Sequence, residues 1–200
     1  MINIIENRIY TKKLTLDLAQ LIQSSLEFHK IVEKYFIHDK KSYNDIAPGS
    51  TQVYGSYNML LYPFPGFYEI YQEIKTMLYE CLALTGEEAK EKYYIECWLN
   101  IYKSDDCITW HSHFPASSNG WFGLYYINVE PSKTTFDFSD IDGYTDVNGE
   151  NNLLIMLKST DDQHRTWPWE YDASRITVAF NITPRDQIQI HGTVNHWIPI

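Results

Sequence analysis

The run from Tyr93 to His191 constrains the fold most. It breaks into eight short segments rich in β-branched and aromatic residues, over 94–102, 108–114, 121–129, 134–138, 153–158, 164–167, 175–182 and 188–191. Clusters of Gly, Pro, Asn, Asp or Ser bound each one, which is the pattern of strands punctuated by turns. Strands this short bury their apolar faces only by packing sheet on sheet. The chain is therefore expected to be mainly β with flanking α-helices, a β-sandwich or jelly roll.

The part before it has a different period. Residues 1–12 read as a lead-in strand with Ile4, Ile5, Ile9 and Tyr10 as buriable positions. Leu14, Leu18, Leu21, Ile22, Leu26 and Phe28 then recur at three to four residues, an amphipathic helix with Asp17 in its first turn. Residues 37–57 are polar and turn-rich and read as loop. After the breaker Pro63-Phe64-Pro65-Gly66, a second helix carries Tyr68, Tyr71, Ile74, Lys75, Leu78 and Leu82 and ends near Gly86. One domain is expected: 1–92 packed on the sheet, 93–191 the β core and 192–200 a tail. The acidic stretch 139–152 reads as an insert at the rim.

Composition excludes several classes. Of 200 residues, 44 % are apolar and 21 % charged, which is globular composition. The formal net charge of -10 argues against stable nucleic-acid binding, which draws on Lys and Arg, and against an anionic membrane surface. No apolar run reaches the roughly 20 residues of a membrane span, and the N-terminus lacks a signal-peptide pattern. Cys81, Cys97 and Cys107 are odd in number and form no CxxC pair, so free thiols in a cytoplasmic protein are expected.

His111-Ser112-His113 carries the chemistry. On a strand, residues two apart leave the same face, so both imidazoles would point together. With His164 brought in by folding, they would make an open transition-metal site. Further along, strand alternation puts Arg175, Thr177, Ala179 and Asn181 on one face and Ile176, Val178 and Phe180 on the other. Asn100 sits on a similar polar-alternating strand with Trp98 and Tyr102, and Tyr126 is a further candidate for the pocket wall. Trp110 and Trp167, with Tyr102 and Asn181, are candidates for contact with substrate. His191 and His196 are competing metal candidates.

In its order of motifs, the region from Glu96 to Asn181 resembles the 2-oxoglutarate- and iron(II)-dependent oxygenases, in particular their small prolyl-4-hydroxylase-like members. Tyr102 is followed by Ser104-Asp105-Asp106 and then His111-Ser112-His113, where those enzymes show Tyr, a turn and His-x-Asp. Tyr126-Ile127-Asn128 precedes Thr134-Thr135-Phe136, and His164 precedes Arg175-Ile176-Thr177. The resemblance implies a double-stranded β-helix (a cupin-like jelly roll) with Fe(II) held by His111, His113 and His164. It implies 2-oxoglutarate as cosubstrate, anchored by Arg175 with help from Thr177, Asn100 and Tyr126. The implied reaction consumes O2 and hydroxylates a peptide side chain, such as prolyl, or a small molecule.

Two departures stand out. His113 takes the place of the carboxylate ligand, so the metal has His111, His113 and His164, or only His111 and His164, or His113 with His111 behind it. Ile108 lies where relatives often carry a Tyr that touches the cosubstrate. Two other readings stay open: a three-histidine cupin-type dioxygenase that does not use 2-oxoglutarate, and a metal-free jelly-roll binding module.

Overall fold

The structure, a computed structural model, describes residues 1–37, 49–87, 92–114, 118–159, 162–191 and 196–200. Among these, ten strands form two antiparallel sheets. They are β1 (Asn3–Ile5), β2 (Ile9–Lys13), β3 (Tyr93–Tyr102), β4 (Trp121–Asn128), β5 (Ser132–Asp137), β6 (Tyr144–Gly149), β7 (Leu153–Lys158), β8 (Gln163–Thr166), β9 (Arg175–Pro184) and β10 (Ile198–Pro199). The larger sheet runs β1-β2-β7-β4-β9-β3-β10, and the smaller β6-β5-β8. The fold is mainly β, with helices α1 (Leu18–Tyr35) and α2 (Phe67–Thr85) beside it.

The two faces of the larger sheet do different work. Cys97, Leu99, Ile101, Ile176, Val178, Phe180 and Ile182 belong to one apolar core with Leu21, Phe28 and Val32 of α1 and Ile70, Ile74, Met77 and Leu78 of α2. Each such side chain contributes about 1.5–3 kcal/mol by leaving water. Gly123 on β4 lies opposite Phe180 on this side. A Cβ there would sit 2.1 Å from the Ile155 carbonyl oxygen and 2.4 Å from the Phe180 ring, so only glycine fits. The other face, carrying Trp98, Asn100, Tyr102, Arg175, Thr177, Ala179 and Asn181, lines a cavity of about 370 Å³.

Several sequence expectations are corrected. Asp17 is the N-cap of α1, accepting from the Gln20 backbone N–H, instead of part of its first turn. The buried face of α2 is Phe67, Ile70, Ile74, Met77, Leu78, Cys81 and Leu82, which leaves Tyr68 exposed. Gly86 does end α2, in the left-handed region at φ 71°. Within 37–57, residues Gly49–Ser56 form a 3-10 helix, and 38–48 lie outside the described residues. The 139–152 stretch contains β6, which pairs with β5 along its length. It lacks an apolar alternation because its exposed face is Tyr144, Asp146 and Asn148. Residues 108–114 form no strand, only a single bridge at His111, and Arg185–His191 is a 3-10 helix.

No helix in the described residues is long and apolar enough to cross a membrane. Cys81 and Cys97 are buried and Cys107 half-buried, all as free thiols.

Candidate metal centre

The three histidines meet, though not by the route the sequence implied. His111 bridges β8 directly: its N–H donates to the His164 carbonyl at 3.1 Å, and the His164 N–H donates back at 3.0 Å. The Ile108 N–H donates to Thr166 Oγ1 at 3.0 Å, and the Thr166 N–H to the Ile108 carbonyl at 3.1 Å. The segment is thus tied to the open edge of the smaller sheet, then bends after His111. Both His111 and His113, two residues apart, reach the same cluster as His164. Ring centroids lie 4.2 Å apart for His111 and His164, 5.3 Å for His111 and His113, and 5.0 Å for His113 and His164. One nitrogen from each falls within 4.8 Å of the others.

Hydrogen bonds on the far side of two rings set which nitrogen faces the cavity. His111 Nδ1 donates to the Thr109 carbonyl at 2.8 Å, leaving Nε2 as the bare nitrogen. His113 Nδ1 is 2.7 Å from Asn181 Oδ1, and its Nε2 is 3.3 Å from His164 Nε2. Two nitrogens bound at right angles to one first-row metal stand about 3 Å apart, so this spacing suits a shared ion. Burial lowers all three imidazoles: His113 to about 3, His164 well below its ordinary value, and His111 in the same direction. They are neutral at physiological pH, which is the ligating form. Among the described residues the cluster holds no carboxylate. His196 stands apart from it, its carbonyl taken by Asn58 Nδ2 at 2.7 Å. The His191 side chain lies outside the described residues.

At the other end of the cavity, Arg175 is 1 % exposed. It lies opposite Tyr102 in the β3–β9 register, its guanidinium 5.4 Å from the Tyr102 ring and 6.0 Å from Tyr126. Its one hydrogen bond among the described residues is a 3.5 Å contact from Nε to Ser132 Oγ, and Nη2 has no partner. A buried guanidinium without an anion costs several kcal/mol, whereas a carboxylate would take its two-pronged donor edge. Thr177 Oγ1, on the same cavity face, also lacks a partner. The residues fit the metal and the dicarboxylate expected from the sequence: three neutral imidazoles for the first, an unpaired buried cation for the second.

The other candidates divide. Asn100 lines the cavity and accepts from Thr51 Oγ1 at 2.6 Å; Tyr102, Asn181 and Ile108 line it too. Tyr126 pairs with Thr177 and lies 6.0 Å from the Arg175 guanidinium, but it does not itself line the cavity, and its hydroxyl is 2.7 Å from Thr134 Oγ1. Trp110 and Trp167 do not line the cavity. They sandwich Arg165 on the outer side of β8, at 4.7 and 4.3 Å, because Arg165 and Trp167 alternate with the inward His164 and Thr166.

Sequence reasoning missed Glu96, Thr51, Tyr54, Leu124 and Thr166. Thr166 was signalled by its two-residue spacing from His164. Thr51 and Tyr54 sit in the 3-10 helix that closes one side of the cavity, and nothing in a polar loop composition announces that. Glu96 is 4 % exposed and receives a 2.8 Å hydrogen bond from Asn181 Nδ2.

No family model matches this sequence. No curated protein matches it. The fold does match solved structures. A prolyl hydroxylase from Trichoplax adhaerens, solved with a hypoxia inducible factor peptide fragment, superposes with a TM-score of 0.65 at 10 % identity, over 92 % of this chain and 87 % of that one. A Pseudomonas putida prolyl-4-hydroxylase gives 0.55 at 12 %, over 89 % and 93 %. A non-haem α-ketoglutarate-dependent epimerase from nogalamycin biosynthesis gives 0.56 at 10 %, over 88 % and 77 %. The chain has the double-stranded β-helix fold of the 2-oxoglutarate- and iron(II)-dependent oxygenases.

Proposed function

We propose that this protein is a non-haem iron(II) oxygenase that consumes 2-oxoglutarate and O2 and hydroxylates a substrate, a peptide side chain being the preferred class. His111, His113 and His164 are the residues that would hold the metal. Arg175 would receive the far carboxylate of 2-oxoglutarate, with Thr177 donating to the same group. The observation that carries this reading is one cavity with three converging neutral imidazoles at one place and an unpaired buried guanidinium at another. Metal and cosubstrate, when bound, supply the oxygen activation and the oxidising power.

The chain supplies position and dryness. His111 is held by Thr109 and by its bridge to β8. His113 stacks on Phe122 at 4.7 Å and on Trp98 at 6.0 Å, which fixes its ring plane. Leu124, Ala179 and Ile108 add apolar wall, so water competes poorly there. Tyr54 is 46 % exposed and packs tilted against Trp98 with ring centroids 5.0 Å apart, making an aromatic rim through which a substrate side chain would enter. A peptide substrate is favoured because the Trichoplax enzyme, which shares the fold, was solved with a peptide fragment.

The test is succinate formation from 2-oxoglutarate with added iron(II). The parent protein is expected to form it, and His164→Ala and Arg175→Ala are not. Turnover by either variant at the parent rate would sink the assignment. The three-imidazole cluster, lacking a carboxylate, also favours a second reading: a three-histidine dioxygenase in which Arg175 holds the substrate's own carboxylate. That reading predicts a metal-binding protein that leaves 2-oxoglutarate untouched.

A further inference from the structure

We infer that Glu96 is a positioning residue for the metal centre: through the Asn181 amide it fixes the tautomer of His113, so that Nε2 carries the lone pair. The inference rests on the metal-binding reading above and adds a residue outside the sequence motifs.

The chain of contacts is short and directional. Glu96 and Asn181 face each other across the β3–β9 register, and Asn181 Nδ2 donates to Glu96 Oε1 at 2.8 Å. Asn181 Oδ1 is 2.7 Å from His113 Nδ1. An amide alone does not choose between its two orientations, since exchanging O and N leaves the shape unchanged. An ionised carboxylate only accepts, so it draws the amide NH2 toward itself. The amide oxygen is then turned to His113, and an oxygen there demands a proton on Nδ1. The proton is thereby excluded from Nε2, the nitrogen that faces His164 Nε2 at 3.3 Å. With the amide reversed, its NH2 would face Nδ1, the proton would sit on Nε2, and His113 could not ligate through that atom.

Glu96 is otherwise hard to explain. It is buried on a strand whose neighbours are Ile95 and Cys97, and Oε2 has no hydrogen-bond partner among the described residues. Burial of a carboxylate in such surroundings is costly. It raises the Glu96 carboxyl to about 6, still below neutral pH, so the accepting form prevails there. The group also supplies a negative charge behind the centre, where three imidazoles supply none. Outer-shell acceptors of this kind change metal affinity by about 10–100-fold when removed.

The test reads the tautomer directly, in metal-free protein. Nitrogen-15 labelled histidine distinguishes Nδ1–H from Nε2–H by NMR, at a pH where Glu96 is ionised. The parent is expected to hold His113 as Nδ1–H. Glu96→Gln offers both a donor and an acceptor, so it bonds either amide orientation, and a mixture with Nε2–H is expected. Glu96→Leu removes the acceptor altogether and carries the same expectation should the first variant fold poorly. The double exchange Glu96→Gln with Asn181→Asp moves the charge one residue closer while conserving shape and net charge; it should restore pure Nδ1–H. Cobalt(II) affinity should fall at least about 10-fold in Glu96→Gln and recover in the double exchange. An unchanged tautomer in both single variants would overturn the inference. A tautomer that responds as described in a parent that binds no divalent metal would uphold the Glu96 relay and sink the oxygenase reading, so the two failures are distinguishable.

Discussion

Arg175 and Tyr102 face each other across β9 and β3, with the guanidinium 5.4 Å from the phenol ring and Nη2 without a partner. A buried cation so placed has two aromatic rings and one long hydrogen bond as company, but no anion, in the ligand-free protein. Replacing it by Met, of similar length and no charge, should leave the ligand-free protein as stable or more so. The same change should weaken 2-oxoglutarate binding by about 100-fold, since charge-assisted bonds to a buried carboxylate are each worth about 1.5–3 kcal/mol. Thermal unfolding with and without cosubstrate checks both halves. Marked destabilisation of the ligand-free Arg175→Met protein would show that the charge has a structural partner.

Divalent metal should stabilise the fold by mass action. At a concentration 100 times the dissociation constant the gain is about 2.7 kcal/mol, and a chelator should reverse it. His164→Ala should abolish the gain. Scanning calorimetry with cobalt(II) measures it, and a metal-free binding module would show no shift.

Acid should destabilise the metal-free protein. Burial pushes His113 down to about 3 from its usual 6.5, with His111 and His164 lowered in the same direction. An unfolded chain binds those protons below about 6.5 and the folded chain does not. Stability is therefore full above about 6.5 and declines as pH falls toward 3, by at most about 1.4 kcal/mol per pH unit for His113. Glu96 acts in the opposite sense: its raised carboxyl takes up a proton in the folded state between 4.5 and about 6, which favours folding as pH falls through that window. Three histidines outweigh one carboxylate, so urea midpoints should drop on acidification, and less steeply in His113→Ala. A midpoint that stays flat or rises would contradict the burial of these rings.

Gly123→Ala should cost about 1–3 kcal/mol, because the new Cβ has the Ile155 carbonyl and the Phe180 ring in its place. The clash lies on the helix-packed face of the sheet, so metal affinity per folded molecule should not change. Denaturation and cobalt(II) titration on one sample separate the two effects.

Much of the site was legible from period alone. The alternation of Arg175, Thr177, Ala179 and Asn181 placed a polar face on an apolar strand, and that face lines the cavity. What period cannot show is a bend. Residues 108–114 alternate like a strand, yet only Ile108 and His111 hydrogen-bond to β8, and the chain bends at His113. Glu96 is hidden from period for a related reason. A carboxylate in a strand usually marks a solvated face, and its burial becomes visible only when Asn181 is seen opposite. β6 escaped because just Val147 and Gly149 are buried in it. Trp110 and Trp167 are near His111 and His164 in sequence, yet both pack against Arg165 and do not line the cavity.

Calorimetric titration of the iron(II)-loaded protein with 2-oxoglutarate, without oxygen, addresses the pairing of cation and metal most directly. A saturable one-to-one isotherm is expected, lost in Arg175→Ala and lost again when iron is omitted. Absence of heat in the parent, or an isotherm indifferent to Arg175 and to the metal, would contradict it.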